Sequence, residues 1–230
     1  MVALALVLSV VTVAPGPAAP SGVRVCEAAV AALAPASVAS VDSTLVALYA
    51  AGQPWTEFLA DVDARRAQWL ENAAKPLAPA DAVARARALP GRWRLLVIAI
   101  DMCSDSVNTI PFLAQLVAQV PQLDMRVISP TQGRPLMETR RTPDGRGATP
   151  TVIILDESGA EAGCWIERPA ALQAMAIVAG AGGGSPAFAS QKAAWYAADA
   201  GASTVAEVVA VLEQAAAGAR GCDAGQGRAG

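Results

Sequence analysis

Cys103 is the residue of this chain best placed to do covalent chemistry. It stands in Asp101-Met-Cys-Ser-Asp-Ser106, three residues past the end of a six-residue apolar run, Leu95 to Ile100. A cysteine attacks or leaves as its thiolate, so what matters is how the surroundings treat that charge. Ser106 offers a hydroxyl three residues on, able to hydrogen-bond the sulfur or simply to start a helix. Asp105 offers a carboxylate, either a proton shuttle or a favourable partner for a helix dipole. Asp101 and Asp105 together oppose a thiolate by like charge. Met102 and Ser104 flank the sulfur and would face whatever docks on it. The chemistry these residues fit is the formation of a mixed disulfide with a protein or small-molecule thiol or disulfide, with Cys103 as nucleophile and Asp105 and Ser106 as its catalytic neighbours.

Such a sulfur has to be held. The run from Leu95 to Ile100 reads as a strand buried on both faces. From Val107 to Val120 apolar residues recur at helical spacing, which puts Cys103 at the turn from a central strand into a helix N-terminus. Unpaired N–H groups and the helix dipole favour an anion there. After Pro121 the pattern predicts a strand at 123–129 and a short helix at 134–141. A polar loop follows, then a strand at 152–156 led in by Thr149-Pro150-Thr151. A hairpin turn at 157–160 leads to a fourth strand at 161–167, and Pro169 starts a helix to about residue 178. Upstream, Trp55 to Pro76 reads as one helix and Pro79 to Leu89 as another. Downstream, helices are expected near 187–199 and 203–217, the latter capped by Ser203 or Thr204.

Composition narrows the function. The 230 residues contain no histidine, which excludes Cys-His or Ser-His nucleophile activation and most zinc sites. Neither a metal nor a cofactor is expected. A net charge of −3 and a pI near 5.0 offer no basic surface for nucleic acid. The four cysteines, at 26, 103, 164 and 222, have no C-x-x-C spacing and hence no local dithiol. Residues 2–14 are apolar but too short for a membrane span, which needs about 20 residues. With the small, turn-rich stretch after them they read as an export signal without a basic start. That predicts a periplasmic or secreted protein with no stable membrane span once mature; an apolar element packed on a cytoplasmic domain is the alternative.

The order strand–Cys–helix–strand–helix–Thr-Pro–strand–hairpin–strand–helix resembles the thioredoxin fold. Cys103 at a helix start, Pro111 eight residues on, Thr149-Pro150 just before a strand and Leu155-Asp-Glu-Ser-Gly-Ala160 as the last hairpin carry the match. Within that superfamily the chain looks most like a bacterial group with a Cys-x-Asp-Ser motif, here Cys103-Ser-Asp-Ser106. Tryptophans in an N-terminal helical segment (Trp55, Trp69) and Trp195-Tyr196 in a C-terminal extension add to that likeness; the tryptophans themselves are read as core anchors. The resemblance implies an α/β thioredoxin fold: a central mixed sheet of about four strands flanked by helices, with helical extensions at both ends. It also implies a cis peptide at Thr149-Pro150, both residues facing substrate. The expected segments are 1–21 (signal), 22–91 (helical), 92–180 (core), 181–217 (helical) and 218–230 (disordered tail).

The departures from that family bear on activity. Ser106 stands where a second cysteine would resolve a mixed disulfide, Met102 where tryptophan is usual, and Val97 where a buried acid assists proton transfer. A dithiol cycle at this site alone is therefore not expected. A monothiol thiol–disulfide oxidoreductase is the leading expectation. A redox-silent module that holds a peptide or partner in the groove beside Pro150 is the alternative. Iron–sulfur carriage is disfavoured, because Cys-Ser-Asp-Ser replaces the Cys-Gly-Phe-Ser of monothiol glutaredoxins. Cys164 is a small strand residue or a remote resolving thiol, and Cys26 and Cys222 would pair as a staple in an oxidising compartment. Arg140, Arg141 and Arg146 form a basic loop, either solvated or met by an anionic substrate such as glutathione.

Overall fold

The computed structural model describes residues 43–76, 79–180 and 185–222. The expected signal segment, Cys26 and the C-terminal tail beyond residue 222 lie outside them.

The first elements are α1 (Ser43–Ala51), β1 (Gln53–Pro54), α2 (Trp55–Asp61), α3 (Arg66–Ala74) and α4 (Ala80–Arg87). They are followed by β2 (Trp93–Ile98), α5 (Ser104–Gln119), β3 (Leu123–Ile128) and α6 (Pro130–Thr139). The chain continues through β4 (Thr151–Leu155), β5 (Glu161–Ile166), α7 (Ala170–Ala179), α8 (Pro186–Asp199) and α9 (Ala202–Ala216). The sheet runs β1-β3-β2-β4-β5. β2 and β3 are parallel, β4 is antiparallel to β2, and β5 is antiparallel to β4. This is the expected α/β thioredoxin fold, with a fifth strand. That strand, β1, is two residues long and pairs antiparallel with β3 at the sheet edge. Two residues containing a proline carry no readable period, so pattern alone could not find it.

Alternation along the central strands explains why both faces are covered. Leu95 and Val97 of β2 and Val152 and Ile154 of β4 enter the larger core beneath α3, α4, α5 and α9. Leu96, Ile98, Ile153 and Leu155 point the other way, packing with Leu45 of α1 and Leu136 of α6. Successive side chains on a strand face opposite sides, so an unbroken apolar run here means helices on both faces. A third, smaller cluster joins α7 to α8 through Leu172, Ala176, Phe188 and Tyr196.

Three sequence expectations are corrected. The helix foreseen from Trp55 to Pro76 is two helices, broken where Arg65 takes up φ 56°; that break is used by the site below. α9 is capped by Gly201 rather than Ser203 or Thr204. Gly201 has φ +81°, and a Cβ there would lie 2.1 Å from the Phe112 ring, so close packing of α9 on α5 selects glycine. Finally, Cys222 is disulfide-bonded to Cys164, with Cα atoms 4.8 Å apart, and not to Cys26. Cys164 is fully buried on β5, and the bond ties the end of α9's trailing segment to that strand. This also removes Cys164 as a free resolving thiol. Among the described residues no helix is long and apolar enough to cross a membrane.

Candidate functional site

The turn between β2 and α5 presents the sulfur. Cys103 is the N-cap of α5, in extended conformation with its N–H bonded to Ile100 O. Its Sγ accepts the Ser106 N–H at 3.5 Å and donates to Thr149 O at 3.2 Å. The Thr149–Pro150 peptide is cis. Cys103 is half-buried and is the free cysteine among the described residues. Met102 beside it is 63% exposed, an apolar side chain left in solvent next to the thiol. Ser104 and Thr149 are half-buried, and Pro150 is buried. Cys103, Met102, Ser104, Thr149 and Pro150 are thus brought together.

Ser106 is fully buried, and it reaches the sulfur through its backbone N–H. Its hydroxyl has no hydrogen-bond partner among the described residues.

Asp105 is also buried, and its carboxylate turns inward. Oδ1 accepts the Tyr196 hydroxyl at 2.7 Å; Oδ2 accepts Lys192 Nζ at 3.0 Å and Arg168 Nη2 at 3.3 Å. Lys192 Nζ also donates to Ser104 Oγ at 2.7 Å. Arg168 is paired with Glu167 as well, and Glu167 with Arg146 at 3.0 Å. Burial, and then the Asp105 charge, push the Tyr196 phenol well above its ordinary range, so it stays protonated and serves as a donor. Sequence reading missed Arg168 and Lys192 and treated Tyr196 only as part of a likeness. The available signal was a single lysine in the otherwise uncharged stretch 186–198.

The N-terminal helices hold the same turn from the other side. Trp69 is fully buried and donates its indole N–H to Asp101 O at 2.9 Å. Arg65 Nε donates to Met102 O at 2.8 Å. Asp101 caps the break between α2 and α3, its Oδ2 accepting Ala64 N–H at 2.8 Å and Asp63 N–H at 3.1 Å. Burial pushes the Asp101 carboxyl up, but the N–H groups of Ala64, Asp63, Met102 and Asp101 itself outweigh it and hold it below its ordinary value. Further along α5, Pro111 cannot donate to Val107 O, the bond its position would otherwise make. Asn72 Nδ2 takes that buried carbonyl at 2.8 Å.

The basic loop is spoken for. Arg140 pairs with Glu161, and Arg146 with Asp144 and Glu167. Arg141 donates to Glu138 O and Gly145 O. Among the described residues no cluster of acidic, cysteine or histidine side chains could hold a metal ion.

A five-stranded mixed sheet of this order, with a cysteine capping the first long helix opposite a cis-proline, defines a thioredoxin-like domain. A family model for thioredoxin matches residues 52–182, over half of the chain, and the chain belongs to that family. Two solved structures share the fold. A protein of unknown function from Pseudomonas aeruginosa is 24% identical with a TM-score of 0.59, the match covering 73% of this chain and 96% of that one. An HIV epitope-scaffold is 21% identical with a TM-score of 0.58 and the same coverage, 73% and 96%. A search of curated proteins gave no match.

Proposed function

We propose that the protein exchanges thiols and disulfides through Cys103 as a monothiol. The observation that carries this reading is the position of Sγ. It caps a 16-residue helix, is within reach of the Ser106 N–H, and lies 3.2 Å from the carbonyl that precedes the cis-proline. A helix N-terminus stabilises a thiolate by its N–H groups and dipole. In the exchange, the Cys103 thiol gives up its proton to solvent. The thiolate attacks one sulfur of a disulfide R–S–S–R′, a bond forms between Cys103 and R–S, and R′–S⁻ leaves. With Ser106 at the position of a second cysteine, an external thiol completes the cycle by attacking the Cys103 mixed disulfide and freeing R–S–S–R″. Thr149 and Pro150 would line the substrate backbone, Met102 would contact its apolar portion, and Ser104 would border it. Asp105 and Ser106 shape the helix start that carries the sulfur.

The Cys164–Cys222 disulfide supports a periplasmic or secreted location, since such bonds persist in oxidising compartments.

The second reading is a redox-silent module that binds a peptide beside Pro150; the exposed Met102 favours it. Exposure of the purified full chain to glutathione disulfide, followed by intact mass, separates the two. The oxidoreductase reading expects a glutathione adduct at Cys103 in a Cys26→Ser chain, removed by reduced glutathione and missing when Cys103→Ser is added. No adduct on folded protein, with peptide binding intact, would favour the module.

A further inference from the structure

Asp105 presents a problem that the fold has to solve. It sits two residues past the sulfur, in the first turn of α5, where a bare carboxylate would oppose a thiolate. All three of its partners come from outside α5. Arg168 follows β5, while Lys192 and Tyr196 belong to α8, a helix that begins after the span matched by the thioredoxin family model. Lys192 bridges Asp105 Oδ2 and Ser104 Oγ, at 3.0 and 2.7 Å, and so touches both neighbours of the turn that carries Cys103. Its side chain is only 15% exposed; such an amine is retained in place by the charge it meets.

We propose that Lys192 and Tyr196 of α8, with Arg168, are positioning residues for Cys103: they hold Asp105 inward as a compensated anion, so that the α5 N-terminus meets the sulfur without an opposing charge. This rests on the reading of Cys103 as a nucleophile. The surrounding charges are few. The Asp105 cluster holds two cations, Lys192 and Arg168, and two anions, Asp105 and Glu167; Arg146, behind Glu167, is itself paired with Asp144. On the other side, Asp101 is turned onto the N–H groups of Ala64 and Asp63, and Arg65 lies on Met102 O. α7 brings no titratable side chain. Loss of Lys192 therefore leaves one uncompensated negative charge beside the thiol. Loss of the Tyr196 hydroxyl leaves Asp105 Oδ1 without its donor. The extension after the thioredoxin-like span would then act as part of the redox site.

The test is the pH profile, from pH 5 to 10, of the rate at which the full chain reacts with iodoacetamide, with Cys103→Ser as baseline. Lys192→Met is expected to displace the profile upward by about one pH unit, making reaction at pH 7 about tenfold slower. Lys192→Arg should return the profile to within about threefold of wild type, because charge and reach survive. Lys192→Met combined with Asp105→Asn should also restore it, which a purely structural role for Lys192 would not produce. If Lys192→Met does not fold, Tyr196→Phe carries the test with a smaller displacement in the same direction. Folded variants whose profiles superimpose on wild type would overturn the positioning role alone. A wild-type thiol no faster than that of the unfolded chain would overturn the nucleophile reading, and this role with it.

Discussion

The turn that carries Cys103 is clasped from two sides by means that differ in kind. On the N-terminal side, α2 and α3 hold it by backbone and packing. The Trp69 indole and the Arg65 guanidinium bind the carbonyls of residues 101 and 102, and Asn72 takes the carbonyl that Pro111 frees. On the C-terminal side, α8 holds it by charge, through Lys192 and Tyr196 on one buried carboxylate. The first arrangement fixes where the sulfur is. The second governs what electrostatic surroundings it has. Damage to the first should appear mainly as lost stability, and damage to the second mainly as lost reactivity, and this division can be broken experimentally.

The largest effect is expected from Trp69→Ala. It empties a fully buried site that contacts Trp55 and Phe58 and removes the donor to Asp101 O. Denaturant unfolding should show a loss of about 4 kcal/mol. Gly201→Ala comes next, at about 3 kcal/mol, because the added Cβ would enter the Phe112 ring at a φ that other residues avoid. Asn72→Ala should cost about 2 kcal/mol by orphaning the buried Val107 carbonyl, with the Cys103 rate in the folded fraction changed less than threefold. A larger rate change than stability change in Asn72→Ala would break the division between the two clasps.

The smallest effect is a pH dependence on the N-terminal side. The folded Asp101 carboxyl lies below its ordinary value of 3.8, so its contribution is complete above that value. It is lost as pH falls through the folded value, when the protonated group stops anchoring the break between α2 and α3. Asp101→Asn should remove that portion of the acid dependence, seen as a flatter stability curve below about pH 4.

Legibility from sequence followed the same division. The strand and helix around Cys103, the Thr149–Pro150 turn and the last hairpin were readable, because each is set by a local period or a proline. The partners of Asp105 were not. Arg168, Lys192 and Tyr196 lie 63, 87 and 91 residues from it, and no local pattern links a lysine in an alanine-rich helix to a carboxylate that far away. Nor could spacing choose between Cys26 and Cys164 as the partner of Cys222, since that depends on where β5 meets the segment after α9. The partners of Asp101 were hidden for a related reason. Adjacent in sequence to the thiol turn, Asp101 is directed by the N–H groups of residues 63 and 64, which become neighbours only once α3 packs on α5.

The measurement that bears most directly on the central claim is the rate of Cys103 alkylation at pH 7 in folded protein. It is compared with the same chain unfolded in guanidinium chloride, and Cys103→Ser corrects for any other thiol. If the α5 N-terminus and the compensated Asp105 activate the sulfur, the folded protein reacts at least about tenfold faster despite partial burial of the thiol. A folded protein that labels no faster than the unfolded chain would contradict the account and leave the site a binding groove.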